Sequence, residues 1–562
     1  MASIIKKIKA KKAYYYAVES KRVDGKPRIV WQKYLGTLDD IVRKCTSPPG
    51  EVSEVDIFSA GGVAAMLRIV QKLSLIEIID KEIPKRDQGA SVGQYIVLAA
   101  LNRILDPCSK LQMSEWYKQT VLHRLWKHPE DTFTSQMFWN HMDMVDEINI
   151  DNIQEAITEK LIHDFGINPR GLLYDTTNFF TYIATGNKRN TIAQRGKNKA
   201  KRNDLRQVGL ALLVSKDFQI PLFHKVYQGD KPDRGIFVKY ADELVEWQNK
   251  RIGHAEETTL VFDKGNISED AMNRLIVGRK HYVCAVPKTT CPELYSTSVD
   301  AMKIVSGLPG TRAYAEIIEI WSKRHKAVIA YSESFFASEM ADLMDKLRKY
   351  EEKLHDLDLW LKSGPQRPVD EKYYSKANVQ KRVNAILSYP RAQEVMDVKI
   401  IQLNGKTRLE YGINQDKLNN MMKNELGRTL ILSTRLEWDE DEIISNYRSQ
   451  QGIENVFRHM KNKDYLHWQP EFHWTDSKIK VHGLYCVLAM LLANLTHREV
   501  VQKGLDLSLI EMLDELNSIR EVALIYKSAN TKSERNQLAL SRMNPSQKKL
   551  TEILEIPMVL KG

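Results

Sequence analysis

Three acidic residues stand where an acid is hard to explain by solubility alone. Asp175 closes the apolar run "GLLYD", Asp263 closes "TLVFD", and Glu454 is the lone acid in "YRSQQGIENVFRHMKNK" (447–463). An unpaired carboxylate at the edge of a buried strand is costly, so two such residues call for a partner. If the strands are neighbours and the segment of Glu454 packs beside them, three carboxylates meet. Such a cluster repels itself unless hard cations neutralise it, and ligation by oxygen alone selects Mg²⁺ or Mn²⁺. Two such ions, about 3.5 to 4 Å apart, can activate an attacking oxygen and stabilise a leaving one in phosphoryl transfer.

Projected as one helix at 100° per residue, Tyr447, Gln450, Glu454 and Lys461 fall within about 60° of one another, with Arg458 about 20° beyond Tyr447. The ordinary reading of Glu454 on that face is an ion pair with Arg458 at i+4. The alternative is a metal ligand beside a basic face that holds a phosphate backbone.

These acids need a sheet. Short apolar runs at 171–175, 208–215 and 220–229 are followed by a helical stretch from 235, "TTLVFD" at 258–263, a helix at 268–278 and "HYVCAVP" at 281–287. That order describes a mixed α/β sheet with helices packed on it. Residues 288–425 break the rhythm and read as an insertion, with strands, a charged helix at 337–362 and a hairpin turned at Asn404-Gly405. "GRTLILST" (427–434) reads as a returning strand. Ahead of the sheet, 55–165 has helical periodicity, and 13–37 reads as a β element around Asp24-Gly25.

"YDTTNFF", "VFDKGN" and the Tyr447, Glu454, Lys461 spacing together resemble the DDE transposases of bacterial insertion sequences, in the subgroup with a Tyr-x2-Arg-x3-Glu-x6-Lys pattern. The resemblance covers about 170–490. It implies a ribonuclease-H-like core interrupted by an insertion. Patterning and resemblance together divide the chain as 1–54 (β element, expected DNA contact), 55–168 (helical, expected terminal-repeat binding), 169–287 (core, first part), 288–425 (insertion), 426–500 (core, second part) and 501–562 (C-terminal helical region, expected oligomerisation). It implies that Asp175, Asp263 and Glu454 hold two Mg²⁺ or Mn²⁺ ions for cleavage at the element's ends and strand transfer into target DNA. Tyr447 and Lys461 would contact DNA, the partners being double-stranded DNA with inverted repeats, target DNA and a second copy in a homodimer. The pattern's arginine is Gln450 here, which cannot make a charged bidentate phosphate contact. Arg458, or Arg448 nearby, is expected to supply that charge.

"QRGKNKAKRNDLRQ" (194–207) carries six Lys or Arg in fourteen residues. Arg195, Lys197, Lys199, Lys201 and Arg202 form either a solvated loop or a phosphate contact, and the resemblance favours DNA. The formal net charge of +11 agrees with an anionic partner. Five cysteines with no CxxC pair point to a reducing compartment, hence a cytoplasmic protein acting at the nucleoid. His281 with Cys284 and Cys291, and His467, His473, His482 and Cys486, match no paired zinc spacing. The longest apolar stretch, "GLYCVLAMLLANL" (483–495), is short for a bilayer and reads as a buried helix, so no membrane is expected. Two other functions fit the same residues: a metal-dependent nuclease of the same fold, and a non-enzymatic DNA-binding protein derived from a transposase.

Overall fold

The computed structural model describes every residue except 1, 10–11, 24–25, 47–51, 86–87, 185, 199–201, 233–234, 241–242, 244–257, 368–371, 404–405, 470, 527–534 and 562. The expected turns at Asp24-Gly25 and Asn404-Gly405, and Lys199 and Lys201, lie outside the described residues.

The chain divides into two compact units. One comprises 1–65, 115–127 and 511–562. It holds a three-stranded antiparallel sheet of β1 (Ala2–Lys9), β2 (Lys12–Val23) and β3 (Lys26–Gly36). In the same unit β4 (Val52–Ser59) pairs antiparallel with a strand from the far end of the sequence, Arg520–Tyr526, so that Ser59 faces Arg520. The C-terminal region is therefore not wholly helical: Arg520–Tyr526 and Arg535–Leu540 pair as strands there.

The second unit comprises 66–114 and 128–510. Most of the expected helical region belongs to it: the helix α1 (Val92–Leu105) begins at Ser91 with a reciprocal capping box to Gln94, and α2 (Glu147–His163) begins the same way at Asp146. Its sheet contains β5 (Gly171–Thr181), β6 (Arg206–Ser215), β7 (Pro221–Gln228), β8 (Thr259–Phe262), β9 (His281–Val286), β10 (Lys303–Ile304), β11 (Thr311–Ile320), β12 (Lys323–Ser332) and Arg428–Ser433. Among the described residues these nine strands are ordered β10, β11, β12, Arg428–Ser433, β9, β8, β5, β6, β7. β5, β8 and β9 run parallel, and β6 and β7 follow β5 as an antiparallel meander. Near-continuous burial along β6, β7 and β8 explains why they read as unbroken apolar runs.

The insertion is narrower than 288–425. β11 and β12 form a hairpin through left-handed Trp321 and Ser322, and β12 pairs with Arg428–Ser433, which joins them to the main sheet. The part with its own core starts at α3 (Glu333–Ser363). Leu343, Leu347, Tyr350, Leu354, Leu357 and Leu361 form one stripe at spacings of three and four, closing on Val379, Val383 and Leu409.

The Glu454 segment forms two helices, α4 (Glu440–Arg448) and α5 (Gln451–His459), rather than one. α6 (Asp476–Gln502) follows; by length and composition it could cross a membrane, but 94% of its apolar window is buried inside the protein. It packs on α1 and β7. Gly483 permits the approach to β7, since a Cβ there would stand 2.4 Å from Val226 Cγ2.

Candidate active site on strands β5 and β8

β5 and β8 pair in parallel with Leu173 opposite Val261. Asp175 and Asp263 each lie two residues beyond that pair, so the register delivers both to the same level on adjacent strands, whose spacing is about 4.8 Å. Asp175 does not end its strand: β5 continues to Thr181, paired on its other side with β6. What ends at this level is β8, leaving the edge of β5 beyond Asp175 to other elements. Both carboxylates are held alike, Asp175 Oδ1 accepting from Thr176 N at 2.8 Å and Asp263 Oδ1 from Lys264 N at 2.7 Å. Both aspartates are partly exposed.

Helices α4 and α5 cover that edge. Between them the backbone tightens into bonds of the i to i−3 type, Gln450 N to Tyr447 O and Ile453 N to Gln450 O, which rotates α5 relative to a continuous helix. Gln450 Nε2 donates to Tyr174 O at 3.2 Å, and Lys461 Nζ donates to Thr177 Oγ1 at 2.7 Å. The segment from 450 to 461 is thus pinned to β5 on either side of Asp175, and Glu454 lies between the two pins. Tyr447 completes the arrangement by donating its hydroxyl to Asp263 Oδ1 at 3.3 Å. Burial, then Asp263, with Cys284 and Glu454 adding to it, push this phenol well above its ordinary range.

Gln450 is buried, 6% exposed, and its amide serves the β5 backbone. Among the described residues its Oε1 has no hydrogen-bond partner. Arg458 is exposed and donates to Asn455 Oδ1 at 2.7 Å, its own helix, rather than pairing with Glu454. Arg448 donates to Thr311 Oγ1 at 3.1 Å. In the basic segment Arg195 and Lys197 are exposed, whereas Arg202 is held in a two-pronged pair by Asp204 at 2.7 and 2.8 Å.

Residues beyond the acids and the expected DNA contacts also shape the site. Thr177 lies two positions from Asp175, hence on the same face of the strand, and "YDTTNFF" carried that signal. Phe179, next on that face, stacks flat on Trp468 at 4.3 Å, with Lys461 Nζ 5.3 Å from its ring centroid. Trp468 is therefore core, whereas Trp474 is 58% exposed. Beneath, Trp468 Nε1 donates to Glu471 Oε2 at 2.7 Å, and burial pushes that carboxyl up to about 8. His482 Nε2 donates to Trp468 O at 2.7 Å, so its Nδ1 is the acceptor for Tyr485 and for His473. Both imidazoles are held neutral by burial. Both nitrogens of His482 are engaged.

Asp175, Asp263 and Glu454 offer oxygen donors alone, the set suited to a hard divalent cation. Among the described residues no three His, Cys, Asp or Glu side chains stand close enough to share an ion as placed. The aspartates are at one level, and Glu454 is exposed on α5.

No protein-family model matches the chain, and no curated protein does. A solved structure that it is similar to is the cryo-EM structure of the piggyBac transposase synaptic complex with hairpin DNA. The two are 9% identical, with a TM-score of 0.36, over 83% of this chain and 82% of that one.

Proposed function

We propose that the chain is a DNA transposase of the DDE type, cutting DNA at the ends of an insertion sequence and joining the freed ends to target DNA. The single observation that carries the reading is the equal register of Asp175 and Asp263 on parallel strands, with the Glu454 segment pinned across β5 at Tyr174 and Thr177. The strand order β7, β6, β5, β8, β9 supports a ribonuclease-H-like core, with the α3 region as its insertion.

In this reading Asp175, Asp263 and Glu454 hold two Mg²⁺ or Mn²⁺ ions, Glu454 joining the aspartates by rotation about its own side-chain bonds. Bound there, such ions would activate the attacking oxygen and stabilise the leaving one. The chain's own contribution is placement. Tyr447 occupies Asp263 Oδ1 until a cation takes its place, Gln450 fixes the helix, and Lys461 holds a positive charge over Thr177 where a phosphate would lie. The basic segment around Arg195 and Lys197 and the lysine-bearing sheet of β1 and β2 would add DNA backbone contacts. The substrate is double-stranded DNA bearing inverted repeats; a homodimer would pair two equivalent ends at the nucleoid.

The test is a strand-transfer assay with the full chain, Mg²⁺ and DNA ends taken from the element that encodes it. Joined products that vanish in Asp175→Asn support the reading. Nicking without joining would instead make the protein a nuclease, and end binding without any metal-dependent cutting would make it a non-enzymatic DNA-binding protein.

A further inference from the structure

A second cationic surface lies on the other flank of α5. Asn455 and His459 are displaced about 100° and 140° from Glu454 around the helix, and they line a cavity of about 610 Å³. Next to it, sharing Asn168, Lys216 and Asp217, is a cavity of about 490 Å³ that reaches Arg170 and Arg435. The two form one groove, beginning at the N-terminal end of β5. Gly171 and Asp175 are four residues apart, about 13 Å along a strand, so the groove is separate from the acids.

Its chemistry is one-sided. Lys216 and Arg498 contribute positive charge, Arg170 and Arg435 also line the space, the latter 3.5 Å from Glu437, His459 and His497 line it as well, and Asp217 is the one acid among the lining residues. Lys216 Nζ donates to Asn446 Oδ1 at 2.9 Å, a neutral amide, so this bond holds the ammonium without cancelling its charge. The position is built. The β6–β7 turn places Phe218 and Gln219 in left-handed backbone, an uncommon conformation for such residues. Asn494 Nδ2 donates to Gln219 O at 2.8 Å, and Gln219 Nε2 donates to Lys216 O at 3.0 Å. Phe218 meets His497 edge-on at 6.2 Å. A turn fixed from several sides presents Lys216 at the junction of the two cavities.

We propose that this groove is a DNA track, binding the phosphate backbone of double-stranded DNA away from the position that is cut. It rests on the transposase reading for the identity of the polyanion but not on the acids. Spanning two adjoining cavities, cationic and with one acid in its lining, it suits a repeating phosphodiester rather than a single small anion, and binding there should depend on salt.

The experiment is fluorescence anisotropy of a random-sequence 30-base-pair duplex with the full chain, without divalent metal, over a range of salt. Wild type is compared with Lys216→Glu/Arg498→Glu, with Lys216→Gln/Arg498→Gln, which keeps polar side chains should the first pair not fold, and with Asp175→Asn. Loss of two phosphate contacts should weaken binding at least tenfold and flatten the logarithmic salt slope by about two. The glutamine pair should flatten it by a similar amount with a smaller loss of affinity. Wild-type affinity and slope in whichever groove variant folds would overturn the proposal. Asp175→Asn should bind like wild type; if it also still joined ends, the catalytic assignment would fail while the groove stood.

Discussion

Tyr447 donates its hydroxyl to Asp263 Oδ1 across 184 positions of sequence, joining the helix that precedes Glu454 to the end of strand β8. The same oxygen accepts from Lys264 N, so one atom of Asp263 carries two donors. The phenol therefore competes for a carboxylate that the proposed chemistry needs for cations. Tyr447→Phe should leave the fold intact, with a stability change of about 1 kcal/mol or less, and should tighten Mn²⁺ binding severalfold. Calorimetric titration checks this, and weakened Mn²⁺ binding would show that the hydroxyl orients the carboxylate productively instead.

Gln450 stands where the resembling pattern has arginine, and the structure buries it. Gln450→Ala should cost about 1 to 2 kcal/mol through loss of its hydrogen bond to the Tyr174 carbonyl. Gln450→Arg should be worse, because a guanidinium there has to be desolvated. Urea denaturation of the two variants checks the order. An arginine variant as stable as wild type that also binds DNA more tightly would restore the phosphate-contact role to this position.

Lys461 and Thr177 separate charge from placement. Lys461→Ala should weaken binding to end DNA and lower the salt slope by about one. Thr177→Val removes the hydroxyl that steadies the ammonium and keeps the charge, so the slope should hold while cleavage slows. Equal salt slopes for wild type and Lys461→Ala would remove Lys461 from the DNA interface.

Glu471 makes stability depend on pH. Its folded carboxyl, pushed up to about 8, keeps its proton at neutral pH, whereas the unfolded one ionises in the ordinary range near 4.3. Between these values the folded state binds more protons. This contribution is therefore fully present below about pH 4.3, declines by about 1.4 kcal/mol per pH unit as pH rises, and levels off above about 8. Lys110, pushed down to about 7 by burial, adds an opposite slope above that pH. Comparison with Glu471→Gln isolates the carboxyl. The variant's urea midpoint, relative to wild type, should rise steadily from pH 5 to pH 8, and a constant difference would refute the assignment.

The placement of the two aspartates was legible in the sequence because it depends on strands whose apolar runs are unambiguous. "GLLYD" and "TLVFD" mark β5 and β8, and counting to the acids gives their shared level once the strands pair. The break at Ser449 and Gln450 was not legible. Each residue there favours helix well enough, and the tightening comes from tertiary contact: Gln450 reaching Tyr174, and Gly452 lying against Gln219, where a Cβ would stand 2.9 Å away. The extent of the insertion was hidden for a similar reason. β11 and β12 have ordinary strand sequences, and only pairing with Arg428–Ser433 assigns them to the main sheet. The union of Val52–Ser59 with Arg520–Tyr526 is a contact over more than four hundred residues that local patterning does not encode.

The central claim is that Asp175, Asp263 and Glu454 serve the same divalent ions. Isothermal titration of Mn²⁺ into the full chain, compared with Asp175→Asn, Asp263→Asn and Glu454→Gln, tests it without reference to activity. The account predicts saturable binding in wild type and at least a tenfold loss of affinity in each variant, with the urea midpoint preserved. Wild-type Mn²⁺ binding in Glu454→Gln, with loss only in the two aspartate variants, would contradict it.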